Sequence, residues 1–454
     1  MTTVEELLAK AEAPSKEAMR LHPFYRGKMQ TIPKCVVRDI HDFDIWYSPG
    51  VAAPCRDIEK RPEAVFEHTN KGNTVAVLTD GTRVLGLGDI GPEAGLPVME
   101  GKAMLYKYLG GVDAVAIPLK TKDHKEFIRT AQLIEPAFGG INLEDIANPK
   151  CFIILKELRE TMNIPVWHDD QQGTATIVVA GLMNALKIVN KKIDRVKVTF
   201  IGTGAANVAI SRLCFTAGVK PENSIMVDSK GILHKGRKDL ENQRDWYSDK
   251  WRLCNVTNSE NRTGGIPEAM RGADVCIAMS QSGPGVLKKE WVKGMAKDAI
   301  LFSCANPVPE IWPWEAKEAG ARIVATGRSD FPNQVNNSMC FPGIFRGTLD
   351  VWAKTITDEM CIAAANELAT FAQENGVNDD YIVPTMEQWE VFPRVAAAVA
   401  VKAIEQGVAR LETTREAEIK QATSIIKQSR GIVADLMKAG LIPPPPKAPS
   451  GSKK

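Results

Sequence analysis

A chain of 454 residues with 44% hydrophobic and 25% charged content is long enough for more than one hydrophobic core and is ordinary in its polarity. Its 57 basic and 55 acidic residues leave a net charge of only +2, which excludes the basic footprint of a nucleic-acid-binding protein. The nine cysteines are odd in number, scattered and never in a C-x-x-C pair, which argues against a disulfide framework or a zinc knuckle; they read as reduced, mostly buried small residues.

The first residues, MTTVEELLAKAEAP, mix acidic with apolar side chains and lack a basic-then-apolar secretory pattern. No apolar run approaches the roughly 18 residues needed to span a bilayer, so no membrane partner and a cytoplasmic location are expected. Residues 1–60 read as an irregular segment with one short amphipathic helix near residues 4–11. The run IWYSPGVAAP follows, in which Pro49, Gly50 and Pro54 force a turn. Tyr47 sits just before that turn. Its amphipathic ring suits packing at an interface, and its phenol could equally donate a proton if it faces a site.

From Thr74 the pattern becomes a series of βα repeats. TVAVLTD reads as a strand ending at Asp80, DGTRVLGLGDIG as a glycine-rich loop, and VMEGKAMLYKYLGG as a helix stopped by Gly110 and Gly111. The strand DAVAIPL, a helix over 122–134, the strand GGINLED ending at Glu144 and Asp145, and a helix over 149–162 come next. In the helix after the glycine-rich loop, Val98, Lys102, Leu105 and Leu109 share one face, which puts a lysine in an apolar stripe. Such a lysine usually snorkels to water; held indoors beside a carboxylate, it becomes a candidate proton acceptor. Arg83, in the glycine-rich loop, is either a surface arginine or a bidentate clamp for a carboxylate.

The stretch IPVWHDDQQGTATIVVAG, residues 164–181, occupies the centre of the chain. An apolar strand stops at Asp169 and Asp170 and gives way to an apolar helix, so the pair could be simple helix-capping residues. Carboxylates at the carboxyl ends of parallel strands also project into the crevice where open α/β sheets bind ligands. Three strands here end in acids, at Asp80, at Glu144 with Asp145, and at Asp169 with Asp170. If the strands are parallel, those hard oxygen donors meet on one edge and suit Mg²⁺ or Mn²⁺.

The second half opens with VKVTFIGTGAANVAISRLCFTAG, a strand running through Gly202 and Gly204 into a helix that begins near Ala205. The following strand, SIMVD, ends at Asp228, close to the ~20-residue offset of an acid that binds an adenosine ribose. Position 207, where a small residue is usual, is Asn. Further runs at DVCIA, AILFSC and RIVAT complete an expected doubly wound sheet, with Asn306 and Asn337 in loops after its last strands. Asn306 follows a strand where a bound cofactor would present its nicotinamide. Residues 345–439 read as amphipathic helices, of which the alanine-rich RVAAAVAVKAIEQGVAR could pack against a sheet or a partner subunit. The Pro-, Lys- and Ser-rich end from residue 442 reads as extended and mobile.

Together YSPGVAAP, TDGTRVLGLGDIG, GKAMLYKYLGGVDA, NLEDIA, VWHDDQQGTA, FIGTGAAN, VDSKG, CANPVPE and NQVNNSMCFPGIFRG resemble, in the same order, the malic enzymes, especially their compact microbial form. The resemblance implies Lys102 as the base for the malate 2-hydroxyl, Tyr47 as the acid on the enolate, and Asp169 as the partner of Lys102. It implies Glu144, Asp145 and Asp170 as ligands of Mg²⁺ or Mn²⁺, with Arg83, Asn306 and Asn337 holding the substrate. Gly202, Gly204, Ala205 and Asp228, with Asn306, would take NAD or NADP. Asp228 favours NAD, whereas Ser229, Lys230, Lys235 and Arg237 could neutralise the 2′-phosphate of NADP.

The expected organisation is α/β: an N-terminal substrate and metal domain over 1–168, a Rossmann-like NAD(P)-binding domain over 169–410, a C-terminal helix over 411–441 and a tail over 442–454. The expected protein is a homodimer acting on malate and releasing pyruvate. Rival readings are a malolactic enzyme that keeps NAD bound and releases lactate, and a ligand-sensing protein with an inactive site.

Overall fold

The computed structural model describes residues 4–447, with side chains from residue 13 onward. Two parallel sheets carry the chain. The first comprises β1 (Thr74–Thr79), β2 (Asp113–Pro118), β3 (Gly140–Leu143) and β4 (Val166–His168), in the order β2-β1-β3-β4. All its neighbouring pairs are parallel. The second comprises β5 (Val198–Ile201), β6 (Ser224–Asp228), β7 (Gly231–Ile232), β8 (Val275–Ala278), β9 (Ala299–Ser303) and β10 (Ala321–Thr326), in the order β10-β9-β8-β5-β6-β7. Only the short β7 runs antiparallel, and the order turns outward on both sides of β5 in the doubly wound manner. β1, β3, β4, β5, β8 and β9 are buried along almost their whole length. They therefore read in sequence as continuous apolar runs rather than as alternating ones.

The helix after β1 starts at Pro92, six residues before the expected Val98. Proline at the first helical position loses no hydrogen bond, because that N–H has no helical acceptor anyway. Gly91, at φ +84°, makes the turn that launches it. The helix ends at Gly111 (φ +63°), where an added Cβ would stand 2.5 Å from Ile425 Cγ2. That close approach seats the helix Arg415–Lys438 against it.

The helices Phe341–Asp350, Asp358–Glu374, Val391–Glu405 and Arg415–Lys438 pack on one another and back onto the helix Pro92–Gly110. The alanine-rich helix Val391–Glu405 buries Val395, Ala396, Val399, Ala400 and Ala403 completely, and its small residues let three neighbouring helices approach. Its apolar face is thus consumed within the chain.

Two expectations at the ends are corrected. The first helix runs over Val4–Tyr25, well past residue 11, because Pro14 and Pro23 lie on a solvent-facing rod where each removes a single backbone bond without ending it. The beginning of the Pro-rich end is tied down: Tyr25 Oη donates to Pro443 O at 2.9 Å, and Arg20 donates to Pro446 O. Residues 448–454 of that expected tail lie outside the described residues. Among the described residues no helix is long and apolar enough to cross a membrane. Seven cysteines are buried, whereas Cys35 and Cys55 are exposed; all nine are free thiols.

Candidate active site

At the end of β4 the chain makes one wide π-helical turn, Asp169–Gly173, before the helix Thr174–Ile188. The turn aims Asp169 inward and leaves Asp170 beside the end of β3. Gly173 is required there: a Cβ would stand 2.0 Å from Asp169 Oδ1 and 3.1 Å from Asn337 Cβ. Asn337 is thereby placed directly against this turn.

Lys102 is buried, 7% exposed, and does not snorkel. Its ammonium forms an ion pair with Asp169 and a second with Glu144 at 2.9 Å, and it lies over the Phe341 ring 4.4 Å from the centroid. Burial alone would lower its pKa, but Asp169, Glu144 and Asp170 outweigh burial and hold it above the ordinary lysine range. Trp167 Nε1 donates to the other oxygen of Asp169 at 3.2 Å and fixes that carboxylate. Glu144 is oriented from behind: Tyr106 Oη donates to Asn142 Oδ1 at 2.8 Å, and Asn142 Nδ2 donates to Glu144 Oε2 at 2.8 Å.

Glu144, Asp145 and Asp170 each offer an oxygen within 4.8 Å of the others. Asp170 Oδ2 accepts the Asp145 N–H at 2.9 Å, whereas the buried Asp145 Oδ2 has no hydrogen-bond partner. Asp145 adopts a left-handed backbone, φ +55°, which turns its carboxyl back toward Asp170. Burial pushes the Asp145 carboxyl up to about 8, with Asp170 adding and the Leu85 N–H opposing. Burial likewise raises Glu144, against the pull of Lys102. Three gathered carboxylates that resist ionising together, one with an unpartnered oxygen, are the donor set a hard divalent cation satisfies.

Asp80, the third acid-ended strand, is committed elsewhere. Lys150 Nζ pairs with its Oδ2 at 2.5 Å, and Thr82 bonds its Oδ1 through both N–H and hydroxyl. His168 is the neighbour that pattern reading passed over. It is fully buried, neither ring nitrogen makes a hydrogen bond although Nδ1 lies 3.6 Å from Asp170 Oδ2, and burial lowers it to about 3, so it stays neutral. Nothing in its sequence context marks it beyond its place before the acid pair.

The glycine-rich loop folds over this edge. Arg83 is exposed while its N–H bonds Asp145 O at 3.0 Å. Gly86 lies so close to the segment after β9 that a Cβ would stand 2.9 Å from Asn306 O, which brings the two sheets' loops together. Tyr47, like Arg83, is exposed: it is 73% accessible, and its phenol makes no hydrogen bond among the described residues.

In the second sheet, Gly202 (φ +89°) would place a Cβ 2.6 Å from Met279 O, whereas Gly204 faces open space at the uncapped start of the helix Ala205–Thr216. That opening is a ready anion cradle at a helix N-terminus after β5. Asn207 explains its departure from a small residue: its amide donates to Ile201 O, Gly202 O and Ile277 O, lacing the ends of β5 and β8. Asp228, at the end of β6, accepts a bidentate fork from Arg237 at 3.0 and 2.9 Å, and Asp239 holds Arg237 from the other side.

Fold and site together define a dinucleotide-dependent oxidoreductase with an acid-lined catalytic cleft. Comparison with known proteins narrows this. The family model described as malic enzyme, N-terminal domain, matches residues 26–159, and that described as malic enzyme, NAD binding domain, matches residues 171–406. The bifunctional malic/malolactic enzyme of Bacillus subtilis is 49% identical over 90% of this chain and 97% of that protein. The NAD-dependent malic enzyme of Geobacillus stearothermophilus is 49% identical over 85% of this chain and 78% of that one. The crystal structure of Entamoeba histolytica malic enzyme superposes with a TM-score of 0.94 at 48% identity, covering 96% of this chain and 91% of that one. The chain belongs to the malic enzyme family.

Proposed function

We propose that this chain oxidises L-malate with NAD(P) and releases CO₂ and pyruvate, with Lys102 as base, Asp169 as its proton partner, and Glu144, Asp145 and Asp170 as ligands of Mg²⁺ or Mn²⁺. The observation that carries this reading is the enclosed Lys102 ammonium bridging Asp169 and Glu144 beside the three-carboxylate group. Glu144, Asp145 and Asp170 would hold a divalent cation that, when bound, would supply Lewis-acid polarisation of the substrate C2 oxygen and offset part of the negative charge around Lys102. Having passed its ammonium proton to Asp169, neutral Lys102 would take the 2-hydroxyl proton while the C2 hydride passes to a bound nicotinamide, giving oxaloacetate. Loss of the C4 carboxyl as CO₂ leaves an enolate, and Tyr47 returns a proton to C3. Arg83, Asn306 and Asn337 would orient the substrate carboxylates, and the burial of Lys102 against Phe341 strengthens its charge contacts with Asp169 and Glu144.

The malolactic alternative is favoured by one observation, the bifunctional relative from Bacillus subtilis. Product analysis separates the two: the proposal expects one pyruvate and one NAD(P)H for each malate consumed. Lactate formed without net reduction of free dinucleotide would replace it.

Gly202, Gly204, Ala205 and Asp228 would take the dinucleotide, and the choice between NAD and NADP rests on Arg237. Its fork occupies both oxygens of Asp228, so the acid is not free to receive both ribose hydroxyls, and Arg237, held on its other side by Asp239, would meet a 2′-phosphate by exchanging one of these acids for it. Arg237→Ala is expected to lower kcat/KM for NADP about tenfold or more, the value of a charge-assisted hydrogen bond, and to spare or improve NAD. Parallel kinetics with the two dinucleotides check this, and equal losses for both would remove Arg237 from the choice.

A further inference from the structure

Asp80 is a buried acid that the proposed chemistry leaves unused. It follows β1 where the glycine-rich loop begins, and both of its oxygens are taken. Lys150 holds Oδ2, while Oδ1 accepts the Thr82 N–H at 3.1 Å and the Thr82 hydroxyl at 2.6 Å. The first of these two bonds is the local turn, two residues long, that aspartate makes readily. The second spends the hydroxyl hydrogen, so the Thr82 oxygen is left as an acceptor with a fixed direction. It accepts the Ala147 N–H at 3.0 Å. Thr82 therefore bridges the end of β1 to the segment that carries Glu144 and Asp145.

The loop that it anchors is closed on itself. Ile90 and Gly91 N–H both bond Gly81 O, at 3.2 and 3.1 Å, and Val84 N–H bonds Gly88 O at 2.9 Å. Such a ring moves as one piece, and its seat on the acids below decides where Arg83 stands. Arg83 N–H on Asp145 O and Leu85 N–H on Asp145 Oδ1, at 3.0 and 3.3 Å, hold the ring through its backbone; the Thr82 hydroxyl holds it through a side chain.

Thr82 is buried and Arg83, next to it, is exposed, so the one is the root of the loop and the other its free end. The charge of Arg83 is nevertheless felt at Asp170: burial raises that carboxyl, and Lys102, hydrogen bonding and Arg83 oppose the rise. An exposed arginine has several rotatable bonds, so its accuracy as a carboxylate clamp depends on a fixed backbone beneath it. We propose that Thr82 is a positioning residue for malate binding: its hydroxyl, held by Asp80, seats the glycine-rich loop on the Asp145–Ala147 segment and so places the Arg83 guanidinium for the substrate carboxylate. This rests on the proposed role of Arg83.

Thr82→Val removes the hydroxyl and keeps the branched shape, whereas Thr82→Ser keeps the hydroxyl. With valine, KM for malate is expected to rise about tenfold, the value of one hydrogen bond to a charged group, with kcat changed by less than about twofold. Tartronate is a hydroxy-dicarboxylate that cannot be oxidised while reduced dinucleotide fills the site. Its Kd, titrated calorimetrically with Mn²⁺ and NADH or NADPH present, should rise by the same factor, and serine should restore both values. Thr82→Ala takes the place of valine if the valine chain does not fold. In an Arg83→Ala background, Thr82→Val should add less than about twofold, because the residue it positions is gone. A full tenfold added there, or wild-type KM and Kd in Thr82→Val itself, would overturn the inference and leave the role of Arg83 intact. A wild-type malate KM in Arg83→Ala alone would instead remove Arg83 from the proposed function, and the inference with it.

Discussion

Replacing Lys102 with alanine is expected to cut malate oxidation by about 10²- to 10⁴-fold, the usual contribution of a positioned base, while dinucleotide affinity stays near wild type. The separation follows from geometry. Lys102 touches Asp169, Glu144 and the Phe341 ring, whereas the proposed dinucleotide cradle at Gly202, Gly204 and Asp228 belongs to the second sheet. A cost in stability should accompany the kinetic loss. Removing the ammonium strands two buried carboxylates, which costs about 3–5 kcal/mol if they stay charged and less if they take up a proton. Steady-state kinetics with oxaloacetate reduction as a second assay, alongside NADH or NADPH binding by fluorescence, check the result. Near-normal malate oxidation would show that another group is the base.

Asp170→Ala is the second large effect. Asp170 is the most accessible of the three acids, its side chain 36% exposed, so it lies where substrate and metal would enter. Its loss is expected to weaken Mn²⁺ binding by at least about 100-fold, the upper end of what outer-layer substitutions cost at metal sites. Protons compete for the same oxygens. With the Asp145 carboxyl pushed up to about 8, wild-type Mn²⁺ affinity should rise with pH until about 8 and then level off, because a protonated carboxyl cannot ligate. In Asp170→Ala the neighbouring charge that helps raise Asp145 is gone, so the levelling should move to lower pH. Calorimetric Mn²⁺ titrations at several pH values check both statements; an unchanged titration would take Asp170 out of the ligand set.

Much of the fold could be read from pattern, for a physical reason. Strands buried on both faces appear as short apolar runs between turn residues, and β1, β2, β3, β6 and β10 stand close to where those runs place them. The lysine on an apolar stripe and the acid-ended strands were also visible locally. That Lys102 pairs with Asp169, 67 positions away, came only from the family resemblance, because periodicity says which face a residue occupies but not what the facing element carries. Periodicity is equally silent on the Tyr106–Asn142–Glu144 relay, on Phe341 over the ammonium, and on His168, whose neutrality comes from burial by distant segments. Asn207 looked like a defect in a glycine fingerprint until its three carbonyl partners were in place. Arg237 was one of several nearby cations; only the folded loop singles it out. At the N-terminus, propensity rules stopped a helix at residue 11 because they penalise proline, whereas an exposed rod tolerates it.

The proposed convergence of the enclosed lysine and a divalent-cation site on one dinucleotide is tested most directly by following NAD(P)H formation from L-malate with purified protein, with Mn²⁺ present and after its removal by chelation. The arrangement predicts reduction that requires malate and dinucleotide, disappears on chelation and returns when Mn²⁺ is restored. Reduction that proceeds equally well without any divalent cation, or none at all with every component present, would contradict it.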